Sequence, residues 1–407
     1  MRCKITNQVI DPFMSFGMMP LANGFIKKNQ FKNEFFYKME IGFSKNLSLF
    51  QLNEHPKPEN MFNKKYPFYT GSSEFMIKHF KNYSKWIKKK FLQSGSKLIE
   101  IGSNDGTFLN NFKNNNVQYL GFEPSKNVFQ VAKKNQIKII NNFFNKNNIK
   151  KKLVKKFLHN TDVICASNVI CHIPDLKNLI ESADQLLTSK GVFVFEEPYL
   201  GSMFDKISYD QIYDEHVYIF GALSVQKIFS RVGLQLVDAI PQSTHGGSMR
   251  YVIMRQNQME ISKGAEQILK SEIDAGLNDV QAYLDFASTC KTRRIEFKEL
   301  LSKLKSQGAN IGGYAATSKS TTVLNYCSIG SDLIQFISDS TLEKQGKFTP
   351  GSHIPIISQE EMRLSPPDYL VLFAWNHEKE ILAKESALTK QGVKWIRFVP
   401  NVEILDI

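Results

Sequence analysis

Cysteine is scarce in this sequence, and long apolar runs are missing from it. The 407 residues include five cysteines without close pairs, which argues against a disulfide framework and fits a reduced, cytoplasmic location. No stretch reaches the roughly 18–20 uninterrupted apolar residues of a membrane-spanning helix. The first residues, Met1–Lys4, precede no apolar segment, so we expect no signal peptide. The sequence therefore predicts a cytoplasmic protein without membrane contact.

Acidic residues are outnumbered by basic ones, 39 against 52, which leaves a formal net charge of +13. Such a charge favours binding of nucleic acid, of an anionic membrane surface or of an anionic small substrate. Lysine and asparagine are frequent along the whole chain, however, in runs such as Lys113–Asn116 and Lys146–Lys156. No arginine-rich stripe with interleaved aromatic residues accompanies them. Most of this charge is therefore expected on solvated faces, and nucleic-acid binding is not expected.

The order of helix and strand patterns divides the chain into four segments of an α/β fold. Residues 1–72 lack clear periodicity and are expected to form a small irregular domain. Residues 73–256 begin with an amphipathic helix over about 75–93, after which strands alternate with helices, as in a parallel sheet covered on both faces. Residues 257–308 indicate a helical connector. A second alternation over 309–407 predicts a smaller Rossmann-like domain.

A glycine-containing loop follows the first predicted strand of the middle segment. Within Glu100–Gly106, Gly102 and Gly106 stand where a strand ends and the backbone can approach a ligand closely. The loop is not the dinucleotide-binding motif, because Asn104 replaces its middle glycine. Glu123 ends the next strand, at the spacing from which a carboxylate accepts both hydroxyls of a ribose. Together these features indicate an adenosyl cofactor; the alternative is an ordinary turn with an exposed glutamate.

Two further motifs combine polar side chains that can move protons. The stretch Ala166–Asp175 follows an apolar strand and is expected to hold Asn168 and His172 over the same cleft. The stretch Tyr213–His216 offers a proton donor, a carboxylate and a histidine with an ordinary pKa near 6.5. The alternatives are a loop histidine with satisfied hydrogen bonds and the polar face of a surface helix.

Basic residues near loops suggest how an anionic group could be bound. In His245–Arg250 two glycines precede a strand, and the guanidinium of Arg250 could meet a phosphate. In Gly313–Ser320 a small-residue loop leads into a helix, whose N-terminus together with Lys319 could also hold an anion. Each of these signals is weak when taken alone.

Taken in order, the motifs resemble those of the S-adenosylmethionine-dependent sugar C-methyltransferases, over nearly the whole chain. Members of that family methylate nucleotide-linked 4-keto deoxysugars. The stretches that carry the resemblance are Pro20–Asn23, Glu100–Gly106, Gly121–Pro124, Asn168 with His172, Tyr213–His216, His245–Ser248, Gly313–Tyr314, Asn325–Cys327, Lys344–Gly346, Pro350–Pro355 and Ala374–Asn376. Asp214 departs from the family's usual histidine, which is tolerable if its side chain does not face the cleft.

The resemblance implies a set of site residues by position. Residues on the cofactor side are Glu100, Gly102, Ser103, Asn104, Gly106, Glu123 and Asn168. Residues expected around the substrate are Tyr66 or Tyr69, His245, Arg250, Lys319 and Lys344. His216 is the implied general base and Glu215 its orienting carboxylate, while Tyr213 and His172 would hydrogen-bond a developing enolate.

The implied reaction is methylation, at C3, of an NDP-4-keto-6-deoxysugar, with S-adenosylmethionine as the cofactor. A sugar O- or N-methyltransferase on the same scaffold is the nearest alternative. A non-catalytic binding module is the more distant one, and the intact Tyr213, Glu215 and His216 argue against it. The expected partner is a sugar nucleotide, and the chain is expected to act as a monomer or a homodimer.

Cysteines that bind zinc in the resembled family are mostly missing here. That family usually has two Cys-x-x-Cys pairs near its N-terminus, which here read Cys3–Thr6 and Ser44–Leu47. Neutral hydroxyls are poor zinc ligands, so we expect no metal in this protein. The N-terminal segment should instead be held by apolar side chains, namely Phe13, Phe16, Met18, Leu21, Phe25, Phe43 and Leu47.

Overall fold

The computed structural model describes residues 1–64 and 66–406 and arranges them around three β-sheets. The strands in chain order are β1 Pro12–Pro20, β2 Phe36–Ser44, β3 Leu49–Leu52, β4 Lys97–Ile101, β5 Gln118–Phe122, β6 Ile139–Ile140, β7 Thr161–Ser167, β8 Leu187–Pro198, β9 Tyr218–Ile219, β10 Leu234–Gln242, β11 Ser248–Arg255, β12 Ile311–Tyr314, β13 Ile337–Ser338, β14 Ile356–Ile357, β15 Tyr369–Leu372, β16 Lys394–Arg397 and β17 Glu403–Ile404.

The helices connect these strands and cover both faces of the larger sheet. In chain order they are α1 Pro58–Met61, α2 Glu74–Phe91, α3 Lys126–Lys134, α4 Leu176–Leu186, α5 Leu200–Asp205, α6 Ala222–Ser230, α7 Lys263–Asp274, α8 Val280–Ser306, α9 Ser318–Tyr326, α10 Gln359–Leu364, α11 Glu378–Lys384 and α12 Ser386–Lys390. Among residues 1–64 and 66–406, no helix combines the length and apolar character that crossing a membrane requires.

The central sheet has the strand order β10-β11-β8-β7-β4-β5-β6. Its strands from β8 to β6 run parallel, and β11 and β10 are added antiparallel. The residues Val163–Ala166 of β7 are fully buried, as expected for a strand covered by helices on both faces. The chain order reverses between β4 and β7, and a cleft forms outside the carboxyl ends of strands at such a point. This α/β architecture confirms the fold class predicted for the middle segment.

The N-terminal segment contains more regular structure than its sequence indicates. Its strands form an antiparallel sheet with the order β1-β2-β3-β9, in which β9 comes from the middle of the chain. Register shifts between Pro12 and Met14 and between Ser15 and Gly17 break the alternation of inward and outward residues. That is why no strand periodicity is visible in the sequence. Met18, expected in the core, is 60% exposed because it lies on the outer face of β1.

The C-terminal sheet has the order β14-β13-β12-β15-β16-β17, parallel except for β17. Helices α7 and α8 lie in the chain between the central and the C-terminal sheets. The N-terminal sheet packs on α8, where the ring of Phe43 stacks on that of Tyr283 at a centroid distance of 4.0 Å. Burying one such ring contributes about 1.5–3 kcal/mol. Apolar contacts of this kind therefore join the N-terminal and C-terminal sheets into one packed unit.

Candidate active site

A cavity of about 760 Å³ lies where the three sheets meet. The carboxyl ends of β4, β5 and β7 form one wall, at the point where the strand order of the central sheet reverses. Residues 58–64 and 66–72 contribute a second wall, which we call the N-terminal wall, and residues 211–216 form a third. The start of α9 and the loop 374–377 close the remaining side.

The loop after β4 closely approaches the loop after β7. Gly102 has a φ of +67°, which favours glycine, and a Cβ there would lie 2.3 Å from Cγ2 of Val169. Ser103 is buried, and its amide donates a hydrogen bond to the last carbonyl of β5. Gly106 also has a positive φ, +83°, but it packs against Ile137 behind the loop. The structure therefore places Gly106 within the turn and not on the cavity wall.

Glu123 ends β5 and faces the cavity. Its Oε2 accepts a hydrogen bond from the amide of Asn104 at 3.0 Å, and its Oε1 accepts one from the amide of Ser125 at 2.7 Å. Burial raises the pKa of Glu123, although these hydrogen bonds counteract the rise. Because each carboxylate oxygen can accept more than one hydrogen bond, Glu123 can still bind the hydroxyls of a ribose.

The side chain of Asn104 contacts the N-terminal wall of the cavity, which its sequence motif does not indicate. Its φ is +47°, and its Oδ1 accepts a hydrogen bond from the amide of Thr70 at 3.0 Å. Its Nδ2 donates to the carbonyl of Phe68 at 3.2 Å, and the neighbouring Asp105 accepts from the amide of Gly71 at 2.7 Å. The loop after β4 therefore also holds the N-terminal wall of the cavity.

On this side of the cavity, two buried acceptor atoms of lining residues have no hydrogen-bond partner within the described chain. They are Oε2 of Glu100 and Oδ1 of Asn168, and both residues line the cavity. Burial, together with the charges of Asp105 and Glu123, raises the pKa of Glu100 well above its usual value. Buried polar atoms in native proteins are almost always paired, so a ligand with N–H or O–H donors fits here. The amino group and ribose hydroxyls of S-adenosylmethionine are such donors.

His216 is buried, and its two ring nitrogens have different partners. Its Nδ1–H donates to the carbonyl of Gln211 at 2.6 Å, so Nε2 carries a lone pair. The hydroxyl of Tyr213 lies 2.8 Å from that Nε2. Burial and the neighbouring His172 lower the pKa of His216 well below its usual value, whereas the sequence suggested an ordinary pKa. The imidazole is therefore neutral at pH 7 and can accept a proton at Nε2.

His172 stacks on His216, with ring centroids 5.3 Å apart and an angle of 21° between the planes. Its other face lies on the ring of Phe62 at 5.5 Å. Burial lowers the pKa of His172 to about 3, and its Nε2 has no partner among the described residues. With Cys171 the two histidines form a group whose ligand atoms lie within 4.8 Å of one another.

The carboxylate of Glu215 contacts Asn23 and not His216, which corrects the orienting role predicted for it. Asn23 Nδ2 donates to Glu215 Oε1 at 2.7 Å, while the backbone of Gln211 orients His216. Burial raises the pKa of Glu215. Asp214 points away from the cavity and accepts a hydrogen bond from the amide of Ala22 at 3.2 Å. This orientation agrees with the expectation that Asp214 does not face the cleft.

Lys319 lies at the start of α9 and brings a buried cation to the cavity. Its Nζ is 3.5 Å from the carbonyl of His245 and 3.4 Å from Oδ1 of Asn376, beside the ring of Trp375. Burial lowers the pKa of Lys319. His245 also lines the cavity, and its Nε2 accepts a hydrogen bond from Nδ2 of Asn168 at 3.0 Å. The central and C-terminal sheets are thus connected across the site.

The two remaining basic residues predicted for the site differ in position. Lys344 lines the cavity, where its Nζ donates to the carbonyl of Ala316 at 2.7 Å and lies 3.3 Å from a carboxylate oxygen of Asp339. Arg250 is buried outside the cavity, where its Nε donates to Oε1 of Glu196 at 2.7 Å and its guanidinium lies on aromatic rings of α2. The structure therefore corrects the prediction that Arg250 meets a phosphate, because Arg250 lies outside the cavity and is held there by Glu196.

The two tyrosines of the N-terminal wall face different parts of the cavity. Tyr69 accepts a hydrogen bond at its hydroxyl from Asn127 of α3, at 2.8 Å, near the end of β5. The ring of Tyr66 lies 5.5 Å from that of Phe62, on the side of His172 and His216. Burial and then the charge of Glu215 raise the pKa of Tyr66 well above its usual value. This geometry favours Tyr66 over Tyr69 as the residue nearer the reaction.

The four positions that correspond to zinc ligands in the resembled family converge in space. The thiol of Cys3 is hydrogen-bonded to the side chains of Thr6 and Ser44, and Cys3 shares an apolar cluster with Leu47. Burial alone would raise the pKa of Cys3, but these hydrogen bonds lower it overall. One thiol, two hydroxyls and an isobutyl group do not fit zinc.

Three family models match successive parts of the chain. Residues 3–62 match a model described as a zinc binding domain, residues 74–239 a methyltransferase domain, and residues 243–400 a C-methyltransferase C-terminal domain. C-methyltransferase NovU from Streptomyces niveus is 27% identical over 396 residues, which span 97% of this chain and 94% of that protein. These matches show an S-adenosylmethionine-dependent methyltransferase and support C-methylation as its reaction. The resemblance stated from the sequence is thereby confirmed, and so is S-adenosylmethionine as the cofactor.

Solved structures align with less than half of this C-methyltransferase. Magnesium protoporphyrin IX methyltransferase from Synechocystis PCC 6803, with bound SAM, is 12% identical over 44% of this chain and 79% of that chain, with a TM-score of 0.34. CurJ carbon methyltransferase is 18% identical over 46% of this chain and 57% of that chain, with a TM-score of 0.36. At these scores the assignment rests on the family models and on NovU.

Several cavity residues of the C-methyltransferase were not predicted as site residues. Gln211 acts through its backbone carbonyl, for which a sequence carries no signal. Phe62 lies in a stretch without a motif, and so does Asn127, which is not on the cavity wall but contacts the wall residue Tyr69. Asn23 and Asn376 stand in stretches that carried the family resemblance, and that was the one available sign of their importance.

Proposed function

We propose that this C-methyltransferase methylates C3 of an NDP-4-keto-6-deoxysugar through an enolate. The observation that carries the proposal is the hydrogen bonding of His216. Because its Nδ1–H is held by the carbonyl of Gln211, the unprotonated Nε2 faces a buried cavity next to the hydroxyl of Tyr213. A neutral imidazole so fixed is a general base, and such a base contributes about 10²–10⁴-fold in rate.

The proposed step is proton removal from the carbon beside a ketone. His216 Nε2 takes the proton of C3, and the electron pair delocalises onto the carbonyl oxygen at C4. Tyr213 and His172 donate hydrogen bonds to that oxygen as its charge develops. When bound, S-adenosylmethionine supplies an electrophilic methyl group on a sulfonium ion. The cavity walls align the reacting carbon with it, which is a large part of the catalytic effect.

Two lysines of the C-terminal domain support an anionic substrate. Lys319 and Lys344 both line the cavity, and Lys319 lies at the N-terminus of α9, where the helix dipole also favours an anion. The diphosphate of a sugar nucleotide is the ligand that this pair of charges suits. The sugar would then extend towards His216, with Tyr66 and His245 beside it.

The test is a screen of 4-keto sugar nucleotides, with mass spectrometry of the products. We expect a mass gain of one methylene, and an NMR methyl signal at the shift of a methyl group on carbon. A methyl signal at the shift of an O- or N-methyl group would favour the alternative reaction on the same scaffold. Binding of every candidate without turnover would favour a binding module.

The role of His216 is tested with the variant His216→Asn. We expect loss of both methyl transfer and solvent-deuterium exchange at C3, by about 10²-fold or more. The matched control is His159→Asn, since His159 is exposed and outside the cavity. Wild-type rates of both reactions in folded His216→Asn would reject His216 as the base.

A further inference from the structure

Glu197 is a fully buried carboxyl group at the end of β8, outside the set of catalytic residues described above. Its Oε1 accepts two hydrogen bonds, from the amide of Val169 at 3.0 Å and from the amide of Ile170 at 2.6 Å. These amides begin the short helical turn Ile170–His172, which has no side-chain cap of its own. We propose that Glu197 is a positioning residue that holds this turn, and through it the ring of His172, in place for catalysis.

A carboxylate is well suited to this task. The first amides of a helical turn lack backbone acceptors, and a negative charge there is favoured. An uncharged side-chain oxygen of the same reach, such as that of glutamine, can also accept both amide hydrogens. The turn needs such support because Asn168, two residues before it, has a φ of +54°, in the left-handed region. Glu197 therefore supplies from another strand the cap that the turn lacks.

The turn and the residues just before it meet three parts of the cavity. Val169 packs on Gly102 of the cofactor loop, and Asn168 donates to His245 at 3.0 Å. The ring of His172 stacks on that of His216 at 5.3 Å. A displacement of the turn would therefore move both the loop after β4 and the stacked rings of His172 and His216.

The second carboxyl oxygen of Glu197 is unpaired among the residues that the structure describes, which is not expected of a group that serves stability alone. Oε2 is buried and has no hydrogen-bond partner in the described chain, although the thiol of Cys171 lies beside the carboxyl group. Burial raises the pKa of Glu197 to about 7. Buried Glu272 makes the comparable contact at the start of α6, but each of its oxygens is paired, with Ala222 at 2.6 Å and Leu223 at 2.8 Å.

The test compares Glu197→Met and Glu197→Gln with the matched control Glu272→Met. A glutamine oxygen can accept both amide hydrogens, whereas methionine accepts neither. We expect Glu197→Met to lower kcat by about 10²-fold, since small misplacements of catalytic groups cost that much. The KM for S-adenosylmethionine should change less. Glu197→Gln should stay within about threefold of wild type, and Glu272→Met should lose stability without a comparable loss of kcat.

A second readout does not depend on the substrate, and so separates this inference from the proposed function on which it rests. In protein labelled with [13Cε1]-histidine, the signals of His172 and His216 are assigned from single histidine substitutions. We expect both signals to shift in Glu197→Met and to stay unchanged in Glu197→Gln and Glu272→Met. Unshifted signals in folded Glu197→Met would overturn the inference, whatever substrate the enzyme uses.

A third variant covers the case in which Glu197→Met does not fold. Glu197→Asp shortens the side chain by one methylene and keeps the charge, so the turn must move or lose its hydrogen bonds. We expect the histidine signals to shift and kcat to fall in Glu197→Asp but not in Glu197→Gln. The reverse order, with glutamine the more damaging replacement, would show that the charge and not the position matters.

Discussion

Asn23 donates a 2.7 Å hydrogen bond to Glu215, 192 residues away in the chain. Its other side-chain atom, Oδ1, accepts a hydrogen bond from the hydroxyl of Ser318 at 3.0 Å. The preceding residue, Ala22, receives a hydrogen bond at its carbonyl from Thr321 of α9 at 2.8 Å. The N-terminal segment thus joins the central sheet and the C-terminal domain at the cavity, and is part of the active site.

Replacing Asn23 by alanine should destabilise the protein and lower its activity. The change leaves the buried carboxylate of Glu215 without its hydrogen-bond donor, which costs about 1–3 kcal/mol. Denaturant unfolding measures the free energy of unfolding. Asn46→Ala is the control, because Asn46 is exposed and its loss should cost within about 0.5 kcal/mol. Equal stability of both variants would mean that the contact with Glu215 contributes little.

Replacing Arg250 by methionine should affect stability and not substrate affinity. The guanidinium neutralises the buried carboxylate of Glu196, which His79 also contacts at 2.6 Å. Leaving a buried charge with one partner fewer costs about 3–5 kcal/mol. We expect a lower unfolding temperature with little change in the KM for the sugar nucleotide. A large rise in that KM at unchanged stability would show that Arg250 contributes to substrate binding after all.

Replacing Lys319 by methionine should weaken binding of the sugar nucleotide, with Lys390→Met of α12 as the matched control. Lys319 is buried at the cavity, whereas Lys390 lies outside it. A hydrogen bond to a charged group contributes about 1.5–3 kcal/mol, so Kd should rise about tenfold or more. Calorimetric titration with a nucleoside diphosphate measures the change. An unchanged Kd would mean that Lys319 does not bind the phosphates.

Stability should fall as the pH rises from 7 to 8. Burial and the neighbouring carboxyl of Glu215 raise the pKa of Asp214 in the folded protein. A raised pKa contributes stability that is complete below the unfolded pKa and is lost as the pH rises through the folded pKa. His172, whose pKa is lowered to about 3, works in the opposite direction, but only below its usual pKa near 6.5. The loss of stability above pH 7 therefore reflects deprotonation of the buried acids.

The variant Asp214→Asn isolates the contribution of Asp214 to that effect. Asparagine keeps the acceptor for the amide of Ala22 but does not titrate. The slope of unfolding free energy against pH should become shallower by up to about 1.4 kcal/mol per pH unit. Asp11→Asn is the control, since Asp11 is exposed. An identical slope in wild type and Asp214→Asn would show that Asp214 is already ionised at pH 7.

Purified protein should contain far less than one zinc ion per chain and should resist chelators. The reason is the ligand set at the N-terminal site, where Cys3 is the sole thiol among the four converging positions. Restoring thiols with Thr6→Cys, Ser44→Cys and Leu47→Cys together should create a site that binds one zinc ion. Elemental analysis measures both. One zinc per chain in the wild type would contradict the prediction, and its loss in Cys171→Ser would place it beside the catalytic histidines instead.

The pattern of strands and helices along the sequence was enough to predict much of the fold and of the cavity wall at the ends of β4 and β5. Strands such as β4 and β7 are short apolar runs, and each ends in polar or glycine residues that therefore meet at one edge of the sheet. Glu123 and Gly102 could be placed in this way because their position depends on the strand that precedes them. The N-terminal sheet escaped prediction, since its bulges disturb the alternation on which such reasoning depends.

Contacts between distant segments were decided by the tertiary structure alone. Glu215 stands next to His216 in the sequence, yet its carboxylate turns to Asn23, and a backbone carbonyl orients the histidine. Arg250 looks like a free cation until Glu196 is found beside it on the neighbouring strand. The sequence by itself determined which chemical groups are available and near which strand end they stand. The tertiary structure decided which of them are already paired, because hydrogen bonds and burial depend on neighbours that can lie 192 residues apart.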